Sequence, residues 1–177
     1  MRETGQLRPM VVSAVMTALA LVLPVAFHSV GLGSQFLPML LPLLLNAFLV
    51  PFSWAVGVAL VVPWVSALFT GMPPIYPPVA AIVSMQAAVM AGFASILWRQ
   101  GGRKLWFALI PAVIAGRLTT LVLTWLLARL FSLPPALSAG AQTLEGLPGA
   151  ALQLAVIPIV LRALRSRRSP LFGEGAL

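Results

Sequence analysis

The chain has 177 residues, of which 60% are hydrophobic and only 8% charged. Soluble domains carry a charged share of roughly 25%, so an apolar content this high at this length excludes a water-exposed fold and points to one integral membrane domain covering residues 1–177. There is no cysteine, which excludes disulfides and thiolate metal sites, and the lone His28 excludes a histidine cluster.

The formal net charge is +8, from eleven Lys and Arg against three acids. Nine of the eleven flank apolar segments: Arg2, Arg8, Arg99, Arg103, Lys104, Arg162, Arg165, Arg167 and Arg168. No aromatic residues interleave with them in the manner that stacks bases, so nucleic acid is excluded as a partner and membrane topology is the reading of the charge.

In chain order, six apolar segments of transmembrane length or near it predict an all-α bundle. The first is 9–27, "PMVVSAVMTALALVLPVAF", with Pro9 suited to a helix start; no small-residue cleavage site follows it, so a retained span is expected. The connector "HSVGLGSQ" leads to a shorter second span, 36–50, holding Pro38 and Pro42. The third, 53–69, contains Pro63, which is expected to kink it. Then comes "TGMPPIYPP", whose four prolines rule out an ordinary helix or a central strand. The fourth, fifth and sixth spans are 79–98, 105–131 and 147–164.

Lys and Arg concentrate in cytoplasmic loops. The assignment that fits places both termini inside, together with the turn near Pro51 and residues 99–104. The connectors near 28–35, 70–78 and 132–146 then lie outside and hold no basic residue.

These outer connectors carry His28, Gln35, Tyr76, Gln142 and Glu145 on a backbone shaped by Pro and Gly. Small-molecule pockets are mostly apolar with a few convergent polar groups. Phe27, Phe36, Met39, Met72 and Tyr76 supply walls of that kind, and the alternative is that the connectors only cap the helix ends. Arg117, in "AGRLTT", stands about twelve residues into the fifth span, roughly 18 Å from its inner end. A charge at that depth faces protein or water, with Glu145 or an anionic ligand as partner. Arg129, near the outer interface, reads as an anchor. Gln86, Asn46 and Gln153 are placed to hydrogen-bond between helices, Gln86 also at a depth suited to a pocket. Ala14 and Ala18, four apart on the first span, form a flat stripe that another helix can approach closely. No phosphate-binding loop, carboxylate pair or Ser/His/Asp set is present, so an enzyme is not expected and no cofactor is implied.

The order "FH…GLGSQFLPMLLPLLLNAFLV", "PWVSALFTGMPPIYPP", "AGRLTT" and "EGLPGAALQLAVIPIVL" resembles the S components of energy-coupling factor (ECF) vitamin transporters, over residues 10–165. The resemblance implies a six-helix protein of the prokaryotic plasma membrane. Such a protein binds a vitamin or precursor near the outer face and works with a transmembrane coupling protein and two cytoplasmic ATPases. It implies a coupling-protein contact at Ala14 and Ala18, and a pocket lid over Gly71, Met72, Pro73 and Tyr76. The ligand site it suggests joins Phe27, His28, Gln35, Phe36 and Met39 to Gln86, Arg117 and Glu145. Leu40 stands where relatives often carry His, and Gln86 where they often carry Glu. Losing both titratable groups favours a neutral or apolar ligand, and the expected ligand is a small aromatic vitamin or precursor, such as a flavin, benzimidazole, pyridoxine or pyrimidine compound. The alternatives are a stand-alone secondary transporter and a structural or assembly membrane protein. Against the former, no acid lies mid-membrane to couple protons.

Overall fold

The computed structural model describes residues 3–76, 78–101, 104–131 and 146–166. These residues form helices and connectors, with no strand among them: α1 (Glu3–Ser29), α2 (Gly33–Phe36), α3 (Leu40–Leu49), α4 (Phe52–Thr70), α5 (Val79–Gln100), α6 (Leu105–Phe131) and α7 (Leu147–Ser166). Five of them, α1, α4, α5, α6 and α7, are long and apolar enough to cross a membrane.

The predicted second span departs from expectation. It is broken into α2, a bend at 37–39, and the ten-residue α3. Ten helical residues rise about 15 Å, half of a hydrocarbon core roughly 30 Å thick. The cause lies in the chain: Leu37 takes a left-handed conformation (φ 44°) at the end of α2, and Pro38 has no N–H with which to continue the helix. Irregular backbone at membrane depth is tolerated where protein surrounds it. Here Pro38, Met39 and most of α3 are buried, and α3 packs against α1, α4 and α5. The first helix also begins earlier than its proline suggests, so Pro9 lies within α1 rather than at its start.

Helix α5 is the axis of the bundle, packed on α3, α4 and α6. Of its most apolar stretch 61% is buried, against 17% for α1, which lies on the periphery. Association in lipid depends on close backbone approach at small residues. The inward face of α6 is a ladder at four-residue spacing, Ala108, Ala112, Gly116, Thr120 and Thr124, all buried. Opposite it α5 presents Gln86 and Met90, and a Cβ on Gly116 would overlap the side chain of Met90.

Polar ties fix the packing. Ser13 of α1 and Asn46 of α3 are buried together at 3.3–3.4 Å. Ser84 of α5 donates to the Leu60 carbonyl at 2.6 Å, in the turn of α4 disturbed by Pro63. Arg99 donates through Nη2 to the Val50 carbonyl at 2.9 Å, holding the α3–α4 turn against the end of α5, beside the edge-to-face pair Phe48–Trp98.

Candidate functional site

A cavity of about 200 Å³ opens at the end of the bundle where α1 and α4 finish and α5 begins. Its walls come from separate parts of the chain. Helix α1 contributes Pro24 and His28, the α2–α3 bend Leu37 to Met39, and the α4–α5 connector Met72 to Pro74. Deeper in, α5 supplies Ile82, Val83 and Gln86, and α6 supplies Thr120. The break in the predicted second span thus has a consequence: it turns Pro38 and Met39 toward this space, which an unbroken helix through 36–50 would fill with its own turns.

The polar groups on the wall are few. His28 lies over Gly33, and its Nδ1 is 2.8 Å from the Pro24 carbonyl. A carbonyl only accepts, so Nδ1 donates the hydrogen of this bond and Nε2 remains for a further contact. Gln86 is 1% exposed, and its Nε2 has no partner among the described residues. Thr120 is buried and donates to the Gly116 carbonyl at 3.2 Å. The rest of the surface is apolar, as in small-molecule pockets generally.

The connector that closes one side is tied down at both ends. Gly71, at φ +71°, ends α4 in the left-handed conformation and donates its N–H to the Ala67 carbonyl at 3.0 Å. Ser66 donates to the Met72 carbonyl at 2.6 Å, Thr70 Oγ1 donates to the Ser66 carbonyl at 2.8 Å, and the Ala80 N–H bonds the Pro74 carbonyl at 3.0 Å. The Met72–Pro73 peptide bond is cis. Met72 and Pro73 face the cavity, whereas Tyr76 is 77% exposed and is not on its wall.

Of the residues singled out in the sequence, the structure brings His28, Met39, Met72, Pro73 and Gln86 onto one surface. Phe27 and Phe36 instead pair with each other, ring centroids 5.9 Å apart, and brace α1 against α2. Gln35 is exposed, and Gly71 belongs to the end of α4. Glu145 and Gln142 lie outside the described residues. Arg117 is one helical turn from Thr120, with its guanidinium against Gly146 at the start of α7. Its Nη1 and Nη2 are buried without a hydrogen-bond partner among the described residues. Helix α7 approaches closely because Gly149 lies on the Phe36 carbonyl, where a Cβ would overlap it. Thr120 and Pro24 were not anticipated. Both sit inside apolar spans, and only the pairing of distant helices places them on the wall. Among the described residues no group of His, Cys, Asp or Glu could hold a metal.

The family model for the ECF transporter substrate-specific component matches residues 8–161. The chain belongs to this family. It is therefore a component of a membrane transporter and not an enzyme, and its five long apolar helices fit a multi-pass protein. Neither curated proteins nor solved structures give a match. As a member of this family, the chain is the substrate-specific component of such a transporter.

Proposed function

We propose that this S component captures a vitamin or vitamin precursor at the outer face of a prokaryotic plasma membrane. It then passes the ligand inward in complex with a transmembrane coupling protein and two ATPases. The observation that carries the reading is the convergence of His28, Met39, Met72, Pro73 and Gln86 on one largely apolar cavity in a chain of this family. The ligand's body packs against Leu37, Met39, Ile82 and Val83, while His28 Nε2 and the Gln86 amide read its polar edge. Met72 and Pro73 cover it. The stiffness of the proline-rich connector lowers the ordering cost of closure.

The cavity lies at the end of the bundle reached by connectors without basic residues, and nine of the eleven basic residues flank the opposite helix ends, the exceptions being Arg117 and Arg129 within α6. Under the positive-inside rule that end is extracytoplasmic and both termini are cytoplasmic. The coupling protein docks on the Ala14–Ala18 stripe. Both alanines are exposed on the sparsely buried α1, where a second helix can approach without displacing side chains. The transport energy comes from the ATPases.

Purification of the protein from membranes, followed by mass spectrometry of the released small molecules, tests this reading. One vitamin-sized compound at near-stoichiometric occupancy is expected. Absence of any such compound, together with no binding from a panel of vitamins, contradicts it.

A further inference from the structure

The cavity is apolar toward the connector, but buried polar atoms stand unmet beside it and most of them are donors. Gln86 Nε2 and the two terminal nitrogens of Arg117 are all hydrogen-bond donors, buried and without partners among the described residues. Gln86 and Thr120 are on the cavity wall, and a Cβ on Gly116 would stand 3.5 Å from Gln86 Cγ; Arg117, next to Gly116 on α6 and one turn before Thr120, is turned toward Gly146 instead. A third buried amide, Gln153, lies on the inward face of α7 two turns from Gly146, against which the guanidinium rests, and neither of its polar atoms has a partner among the described residues.

A guanidinium held inside a membrane bundle needs an anion or a set of acceptors to offset its lost hydration. The described residues contain one acid, Glu3, in the first turn of α1; Glu145 and Glu174 lie outside them. The group that satisfies several forked donors at once is an acceptor-only, planar one, and a carboxylate meets Arg in that bidentate manner. The cavity, at about 200 Å³, suits a body of one or two rings, since a cavity of about 150 Å³ takes up benzene. To meet the ligand, the guanidinium swings from Gly146 toward Thr120, which is three residues and about 4.5 Å farther along α6, a movement for a long flexible side chain.

We propose that the captured ligand is a compact organic anion, a carboxylate on a ring-sized apolar body. Arg117 takes the carboxylate and Gln86 supports it. The assignment rests on the cavity being the capture site, and it replaces the neutral ligand suggested by Leu40 and Gln86 alone.

The test uses the purified full-length protein in detergent and a small-molecule extract of the producing cells, split on an anion exchanger into retained and flow-through fractions. Thermal unfolding is measured with each fraction, and with the retained fraction after its carboxylates are converted to amides by carbodiimide and ammonia. Stabilisation by the retained fraction that disappears on amidation is the expected result. The compound isolated from it then binds Arg117→Gln about 10- to 100-fold more weakly than the wild type, with partial recovery in Arg117→Lys. Stabilisation by the flow-through fraction, or stabilisation that survives amidation, overturns the anion assignment while leaving ligand capture intact. If neither fraction stabilises the protein, the capture reading fails and this assignment fails with it. The wild-type comparison needs no variant, so misfolding of Arg117→Gln does not shelter the proposal.

Discussion

Substituting alanine for glycine at two helical positions separates helix propensity from helix contact. Glycine in a helix interior is about 0.8–1.0 kcal/mol less favourable than alanine, so an unobstructed Gly→Ala change stabilises by roughly that amount. At Gly57 in α4 a Cβ meets nothing within 4 Å, and Gly57→Ala is expected to show the full gain. At Gly116 the same Cβ overlaps Cγ and Sδ of Met90, a side chain only 2% exposed with little room to retreat. Overpacking of this kind costs about 1–3 kcal/mol, which exceeds the propensity gain over most of its range and leaves Gly116→Ala destabilised by up to about 2 kcal/mol. Thermal unfolding in one detergent reads both variants. For a chain of this size about 1 kcal/mol corresponds to roughly 2–4 °C, so Gly57→Ala should rise by a few degrees and Gly116→Ala should fall. Because Gln86 borders the same contact, Gly116→Ala should also weaken ligand binding, whereas Gly57→Ala should not. Equal stabilisation by the two substitutions would show that α5 and α6 do not approach as closely as described, and would remove the physical basis for placing Gln86 beside Arg117.

Other outcomes follow from single contacts. Ser66→Ala removes the bond to the Met72 carbonyl; with about 1 kcal/mol lost from the closed connector, binding should weaken roughly fivefold and the connector should become more accessible to protease. Ser13→Ala leaves the Asn46 amide buried without its partner on α1 and should lower stability by about 1–3 kcal/mol, read by denaturant titration, with ligand affinity little changed. Ala14→Leu with Ala18→Leu should leave ligand binding intact and abolish co-purification with the coupling protein. Retained co-purification would place the docking surface elsewhere.

The spans that were legible in the sequence are those whose apolar length carries the information. Segments 53–69, 79–98, 105–131 and 147–164 correspond to α4–α7 to within about two residues at either end, because hydrocarbon thickness sets a length that hydropathy can count. Segment 36–50 failed for the converse reason. Its apolar residues face protein, not lipid, and hydropathy does not distinguish a short buried helix from half of a spanning one. Within the site, His28 and Met72 could be picked out because a polar or shaped connector between apolar spans is conspicuous. Which side of the connector Tyr76 takes was not legible, since that depends on how Ser66, Thr70 and Ala80 anchor the backbone around it. Arg117 was visible as a charge in an apolar run. Its resting place against Gly146 was not, because that contact joins positions 29 residues apart on two helices.

If the cavity itself holds the ligand, filling it must displace the ligand. Val83 is buried on the wall beside Ile82 and Gln86, so Val83→Trp places an indole in the ligand's space. The measurement is the amount of the small molecule that remains with the purified protein, compared between wild type and Val83→Trp preparations with matching elution volume and unfolding temperature. Retention by the wild type and loss from the filled variant are expected. Equal retention by both would place the ligand elsewhere and contradict the claim.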